Sequence, residues 1–255
     1  MPLPSIAVWD ATASCPMKCE FCFGPTAADS PSDLSTSQAK SLVDALSSKG
    51  VKTLVFSGGD PLCRSDILGL VSHAHSLGLK TVLHTSGLLV TDSFLSSASG
   101  ILDRINLPLD GDEATNSLMR RNPEHFSIVA GLLNKLSQQD RIKTSVTTVL
   151  SSINVHCVEF LASFLQQFKV EKWFVYQFRS GRGRSLQNAD SFLLSAEEFS
   201  AAESRARAVL EGASFPKKVL FKPAIHDSFD DSYFLVSNTG EISFSHDTVF
   251  AGQVP

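Results

Sequence analysis

The sequence predicts an α/β fold: a partial (β/α)6 TIM-type barrel with a small C-terminal helix and β-hairpin extension. Through residue 178, six short apolar segments alternate with amphipathic helical patterns, as in a parallel sheet built from right-handed βαβ units. Beyond Phe178 this alternation ends, and the turn-forming Ser237-Asn-Thr-Gly240 indicates a hairpin. Six units are fewer than a complete barrel needs, so we expect an open sheet.

The predicted elements follow in order along the chain. The strands of the core are expected at 6–12, 51–56, 80–84, 104–108, 143–150 and 172–178. The helices between them are expected from a capped start near Ser35 and at 64–77, 92–99, 123–138 and 155–168. A helix near 195–211 and strands near 217–222, 232–237 and 241–245 complete the chain. We therefore expect a core at 1–178 and an extension at 179–255 that covers the side of the barrel and contributes to the substrate pocket.

Composition excludes several classes of function. The chain has 255 residues, of which 43% are hydrophobic and 19% charged, as in a globular protein with a substantial core. A net charge of -4 provides no overall basic field, which argues against an extended nucleic acid as partner. No apolar run reaches the length of a membrane span, and the first five residues do not form a signal peptide. We expect a cytoplasmic protein with no membrane partner.

Three of the five cysteines lie close together, at Cys15, Cys19 and Cys22. Their spacing, C-x-x-x-C-x-x-C, lets three thiolates hold three irons of a cubane and leaves the fourth iron open to a ligand. The spacing alone leaves two alternatives to an iron-sulfur cluster. The cysteines could be spaced this way by chance, or they could form a zinc site completed by a distant histidine such as His84 or His246. The two isolated cysteines, Cys63 and Cys157, are expected to be small buried residues.

A second motif follows the second predicted strand. Ser57-Gly58-Gly59-Asp60 stands at the carboxyl end of that strand, where barrel folds place their ligand-binding loops. Paired glycines allow the backbone to approach a ligand closely, and Asp60 provides an acceptor for an ammonium group. The chain therefore carries a metal-binding loop and a ligand-binding loop on neighbouring strands.

Together these two motifs resemble those of the radical S-adenosylmethionine (radical SAM) superfamily. The resemblance implies that Cys15, Cys19 and Cys22 are the catalytic and metal-binding residues and hold one [4Fe-4S] cluster. It also implies that the open iron binds S-adenosylmethionine (SAM), which is cleaved reductively to a 5'-deoxyadenosyl radical that abstracts hydrogen from a substrate. Too few cysteines remain for auxiliary clusters, so one cluster is expected, and His226 and His246 are expected to be ordinary surface or hairpin residues.

The resemblance extends to other positions in order along the chain. His84-Thr-Ser-Gly87, Leu107-Pro-Leu-Asp110-Gly111 and Met119-Arg120 match motifs that follow the third and fourth strands in this superfamily. Asp60 replaces the more common glutamate. The residues that the resemblance assigns to SAM are Phe21, Gly58, Gly59, Asp60, Thr85, Ser86, Asp110, Arg120 and Gln177.

Within the superfamily, the sequence is nearest in appearance to viperin-like enzymes, which act on CTP. The shared features are Lys18-Cys-Glu-Phe-Cys-Phe23, Phe56-Ser-Gly-Gly59, Trp173-Phe-Val-Tyr-Gln177 and Asp231-Ser-Tyr233. Two basic positions of viperin are missing, because 24–29 contains no basic residue and Phe174 replaces a lysine, which argues against CTP itself. Arg179, Arg182 and Arg184 follow the sixth strand and are predicted to bind an anionic substrate group.

Three hypotheses follow. The first is a radical SAM enzyme acting on a small, phosphorylated substrate such as a nucleotide or sugar-nucleotide, with an electron donor such as flavodoxin or ferredoxin as partner. The second is a peptide-modifying radical SAM maturase. The third is a non-catalytic iron-sulfur or zinc-binding module, which would have no use for the Gly-Gly-Asp loop.

Overall fold

The computed structural model describes residues 3–24, 32–224, 233–245 and 248–253. Its strands are β1 (Ile6–Thr12), β2 (Thr53–Gly58), β3 (Lys80–His84), β4 (Arg104–Pro108), β5 (Lys143–Leu150), β6 (Val170–Gln177), β7 (Lys218–Lys222), β8 (Tyr233–Val236), β9 (Glu241–Ser245) and β10 (Thr248–Gln253). Its α-helices are α1 (Thr36–Ser48), α2 (Ile67–Ser76), α3 (Asp92–Ala98), α4 (Glu113–Arg120), α5 (His125–Ser137), α6 (Val158–Leu165), α7 (Gly183–Gln187) and α8 (Ala196–Val209).

All ten strands form one sheet, in the order β10-β9-β8-β1-β2-β3-β4-β5-β6-β7. Strands β1 to β7 are parallel to their neighbours, as βαβ connections require. Strand β8 is parallel to β1 on its other side, and β9 and β10 run antiparallel. Since β10 and β7 are the two ends of this order, the sheet is an open partial barrel, which confirms the predicted fold class.

The main core lies between the sheet and its helices. Alternate residues of each strand face this layer, among them the fully buried Trp9, Phe56 and Trp173. Helix α1 begins where the sequence predicts, because Ser35 and Gln38 form a capping box that satisfies the first free amides. Within the described part of the chain, no helix is long and apolar enough to cross a bilayer.

Strands of the extension join both edges of the six-stranded core. Strand β7 pairs with β6, and β8 pairs with β1, so residues from beyond position 178 continue the same sheet. The division of the chain at residue 178, and a contribution of the extension to the substrate pocket, stay predictions.

Several details differ from the sequence-based expectation. Helices α4 and α7 and strand β10 were not predicted, because α4 has eight residues and α7 five, too few for a clear apolar period. Cys157 is buried as expected, but Cys63 is exposed because it ends a surface 3-10 turn after Asp60. The prediction for Cys63 was therefore wrong.

Candidate active site

The three clustered cysteines lie on the loop that follows β1 at its carboxyl end, hereafter the cysteine loop (residues 13–24). Each sulfur has a hydrogen-bond donor. The Met17 amide lies 3.4 Å from Cys15 Sγ, the Gly24 amide lies 3.3 Å from Cys22 Sγ, and Arg120 Nη1 lies 3.8 Å from Cys19 Sγ. Such donors stabilise thiolates and are among the groups that set the potential of an iron-sulfur cluster.

Without a metal, the surroundings of Cys15 and Cys19 favour the protonated form of these two thiols. Although Cys15 is exposed as a residue, burial of its thiol raises the pKa to about 12, and the nearby Asp60 and the other two cysteines add to the increase. Burial likewise raises the pKa of Cys19, against the opposing effect of Arg120. Deprotonation at neutral pH therefore requires added positive charge, which iron supplies when it binds.

The glycine pair at the end of β2 docks against the start of the cysteine loop. Gly59 donates its amide to the Thr12 carbonyl at 2.7 Å, and the Asp60 amide donates to the Ser14 carbonyl at 2.8 Å. A Cβ on Gly59 would lie 2.2 Å from Ser14 O, and Gly58 has a φ of 114°. Only glycine fits this approach, so the pair holds the cysteine loop in place, whether or not it also contacts SAM.

Asp60 is fully buried and is bound by the loop that follows β3. Its carboxylate accepts hydrogen bonds from the Thr85 hydroxyl at 2.9 Å and from the amide and hydroxyl of Ser86 at 2.9 and 2.6 Å. It also accepts from the Leu62 amide at 3.1 Å, which caps the 3-10 turn. Three predicted SAM residues therefore meet in one network that ties β2 to β3, and their contact with SAM stays a prediction.

Asp110 and Arg120 form a buried ion pair beside Cys19. Arg120 Nε lies 2.5 Å from Asp110 Oδ2, and the guanidinium carbon lies 4.9 Å from the centre of the Phe21 ring. Burial works against the charge of Arg120, but attraction to Asp110 and Cys19 outweighs it and raises the pKa of the guanidinium. The structure thus brings Phe21, Asp110 and Arg120 together, next to a cysteine rather than in open solvent.

A buried pair that the sequence did not single out supports these loops. His125 Nε2 donates to the Ser86 carbonyl at 3.1 Å, and Asn116 Nδ2 donates to His125 Nδ1 at 3.0 Å. The other end of Asn116 accepts from the Asp110 amide at 3.1 Å. Burial, with a smaller effect of Arg120, lowers the pKa of His125 to about 3, so this tautomer is neutral at physiological pH. No local motif marks such isolated polar residues.

Asp33 is a second site residue that sequence reasoning missed. It accepts from the Thr12 hydroxyl and from the Ala13 amide, at 2.5 and 3.2 Å, where the cysteine loop begins. Asn238, in the turn between β8 and β9, donates to the same carboxylate at 3.1 Å. The start of the loop is therefore fixed by residues distant in sequence.

The predicted residues after β6 have different partners. Gln177 donates to the Leu194 carbonyl at 2.7 Å and accepts from the Ala224 amide at 2.9 Å. Arg182 lies against the cysteine loop and pairs with Asp10 at 2.8 Å. Arg179 and Arg184 are partly exposed. An interaction of these arginines with substrate stays a prediction.

The donor set of the cysteine loop fits a [4Fe-4S] cluster. Three sulfurs on one loop each have a polar donor, and Gly24 is a close neighbour of Cys22, since a Cβ there would lie 3.3 Å from the sulfur. In the described ranges, no three His, Cys, Asp or Glu side chains are arranged to hold a single metal ion. A cubane spaces its cysteines more widely than a single ion does, because each thiolate binds a different iron. His226, Asp231 and His246 lie outside the described residues.

Curated relatives extend over most of this chain. The Fe-coproporphyrin III synthase of Methanosarcina barkeri is 30% identical over 197 residues, covering 76% of this chain and 48% of that protein. The S-adenosylmethionine-dependent nucleotide dehydratase of Flammeovirga pacifica is 27% identical over 208 residues, covering 78% of this chain and 70% of that protein. The chain thus spans about half the length of the first relative.

Solved structures and a family model agree with the fold. Streptococcus suis SuiB matches with a TM-score of 0.80 in its complex with precursor peptide SuiA and 0.75 in its complex with S-adenosylmethionine, at 14% and 15% identity. These matches cover 99% and 96% of this chain, and 63% and 60% of SuiB. The model of the Radical SAM superfamily matches residues 10–165. The chain therefore belongs to the radical SAM superfamily, and it is an enzyme that uses a [4Fe-4S] cluster and S-adenosylmethionine.

Proposed function

We propose that this enzyme cleaves SAM reductively and abstracts hydrogen from a small phosphorylated substrate, a nucleotide or a sugar-nucleotide. When bound, the cluster supplies the electron that splits SAM into methionine and a 5'-deoxyadenosyl radical. The residues of the chain then have to hold the cysteine loop, orient SAM and bind the substrate. The name of the nucleotide dehydratase relative supports a nucleotide as substrate. A group of cations on the concave face of the sheet, the face opposite the helix layer, supports a phosphorylated one.

The concave face of the sheet carries a group of cations. In β6, Trp173 and Val175 pack in the helix layer, so Lys172 lies on the opposite, concave face. In β7, Val219 and Phe221 face the helix layer, so Lys218, which is in register with Lys172, lies on the same face. By the same alternation, Arg104 of β4 and Lys143 of β5 are in register there as well. We call Arg104, Lys143, Lys172 and Lys218 the basic row.

The basic row has a surplus of positive charge. Glu171 pairs with Arg104 at 3.0 Å and lies 3.8 Å from Lys143. Burial lowers the pKa of Lys172, and repulsion by the neighbouring Arg104 and Lys218 lowers it further, against the opposing attraction of Glu171. A phosphate group would relieve that repulsion, and this surplus is the observation that carries the proposal of an anionic substrate.

The basic row lies at the amino ends of β4 to β7, whereas the cysteine loop follows the carboxyl end of β1, so the distance between the two sets the size of the proposed substrate. Lys172 stands near the start of β6 and Gln177 at its carboxyl end, five residues and about 16 Å apart along the strand. Lys222, in register with Tyr176, places another cation on the concave face between these levels. A molecule that binds the basic row and reaches the cysteine loop must be elongated, as nucleoside polyphosphates and sugar-nucleotides are.

Anaerobic reconstitution followed by dithionite reduction tests the first part of the proposal. We expect the loaded enzyme to release 5'-deoxyadenosine from SAM, and Cys19→Ala to lose both the cluster and this release. Release of 5'-deoxyadenosine by Cys19→Ala would refute the assignment of the cluster ligands. A filled cluster that releases none in the native enzyme would refute the proposed cleavage.

A panel of nucleotides and sugar-nucleotides tests the second part. For a phosphorylated substrate, we expect Lys172→Gln to raise KM about tenfold, because one charge-assisted hydrogen bond contributes about 1.5 kcal/mol. Lys40→Gln, on the exposed face of α1, is the matched control. Equal KM values for the two variants would contradict the proposed anion site. Turnover of peptides, with none of the nucleotides, would instead support the peptide-modifying alternative.

A further inference from the structure

The segment that follows β6 lies on the second half of the cysteine loop. Three carbonyls of that half accept hydrogen bonds from it. Glu20 O accepts from Asn188 Nδ2 at 3.3 Å, Cys22 O accepts from the Ser185 amide at 3.0 Å, and Phe23 O accepts from Arg182 Nε at 2.7 Å. The three acceptors belong to Cys22 or lie within two residues of it, so one short segment holds the backbone around this cysteine.

Arg182 is itself held from several sides. Its Nη2 donates to Asp10 Oδ2 at 2.8 Å, and its guanidinium carbon lies 5.3 Å from the centre of the Phe23 ring. The Ser185 hydroxyl donates to the Arg182 carbonyl at 2.7 Å. A Cβ on Gly181 would lie 2.6 Å from the Phe23 ring, so the glycine lets that ring pack closely. Arg182 therefore joins β1, through Asp10, to the end of the cysteine loop.

We propose that Arg182–Asn188 forms a clasp that positions Cys22 for the cluster, with Arg182 as its main positioning residue. The inference rests on the proposed function only in taking Cys22 as a cluster ligand. A cubane tolerates only small displacements of its ligands, and backbone carbonyls without protein partners would leave this half of the loop free to rearrange. Two guanidinium nitrogens of Arg182 already bind protein acceptors, which leaves this arginine less able to bind a substrate anion.

Cluster retention tests the clasp without relying on activity. The experiment compares four proteins after anaerobic reconstitution: the native chain, Arg182→Ala, Asn188→Ala and the control Arg141→Ala. For each, one measures the iron content and the rate at which iron is lost to a ferrous chelator. Arg141 is exposed and binds Ser99, away from the cysteine loop. Loss of a supporting residue of a metal site costs about 10- to 100-fold in metal affinity. We expect iron loss at least about tenfold faster in Arg182→Ala, an intermediate rate in Asn188→Ala, and the native rate in Arg141→Ala.

Thermal unfolding of the metal-free chains shows whether each variant folds. If Arg182→Ala does not fold, iron loss is compared in Asn188→Ala and Arg182→Lys instead. Lysine at position 182 keeps the positive charge opposite Asp10, but it cannot bind both acceptors as the planar guanidinium does. Native rates of iron loss in all folded clasp variants would overturn the inference. A native enzyme that loads iron but releases no 5'-deoxyadenosine would refute the proposed function, while the chelator comparison would still decide on the clasp.

Discussion

Replacing Gly59 with alanine tests how the end of β2 holds the cysteine loop. The added Cβ would lie 2.2 Å from Ser14 O and 2.8 Å from Ala13 O, so the loop backbone has to retreat by about 1 Å to reach ordinary contact. That movement breaks the hydrogen bonds from the Gly59 and Asp60 amides to Thr12 and Ser14. Two such bonds contribute about 1–3 kcal/mol and overpacking costs about 1–3 kcal/mol, so we expect a loss near 3 kcal/mol.

A loss of that size lowers the melting temperature of the metal-free chain by roughly 6–12 °C, measured by circular dichroism. Iron content after reconstitution should fall as well, since Cys15 follows Ser14 directly. Gly69→Ala is the matched control, because Gly69 is exposed in α2 and an added Cβ meets nothing within 4 Å. Alanine in that helix should stabilise by about 0.5–1 kcal/mol. If Gly59→Ala melts and loads iron like the native chain, the proposed role of the glycine pair is wrong.

Two further predictions concern buried ionisable groups. Arg120→Met leaves Asp110 buried without its cation and should lower the free energy of unfolding in urea by about 3–5 kcal/mol. Adding Asp110→Asn should recover part of that loss. If the effects of the two substitutions simply add in the double variant, the pair is not coupled. His125 has a pKa of about 3 when folded and about 6.5 when unfolded, so the unfolded chain binds more protons between these values and stability falls on acidification. The unfolding free energy of the native metal-free chain should therefore drop between pH 7 and pH 5 by about 2 kcal/mol more than that of His125→Gln, and equal pH dependence would contradict a neutral buried His125.

The sequence predicts the core of the sheet well, because each central strand is marked by a local apolar run next to a helical period. For strand β8, the sequence predicts a hairpin with the strand that follows it, but not its pairing with β1. Its parallel pairing with β1 joins segments more than 200 residues apart, which no local pattern encodes. Helix α4 was missed because its eight residues include only two buried side chains, Asn116 and Met119. Polar burial of this kind does not produce a hydrophobic period.

Motifs identify the residues of the site, but not their partners. The cysteine spacing and the Gly-Gly-Asp loop could be read from sequence because each is a local pattern with a chemical reason. The hydrogen bonds from Thr85 and Ser86 to Asp60 form between loops that meet only in the folded chain. The same is true of the ion pair between Arg182 and Asp10. Asp33 and His125 could not be found, since single polar residues carry no signal until their burial is known.

The pairing of β8 with β1 affects the order of events during biosynthesis. The strand that leads into the cysteine loop has a neighbour on both sides only after residues 233–236 exist, and the Asp33 anchor receives its bond from Asn238 at the same stage. A nascent chain that still lacks these residues exposes one side of β1 to solvent and leaves the cysteines on a less restrained loop. We therefore expect iron to be inserted late, after nearly the whole of this sequence has been translated.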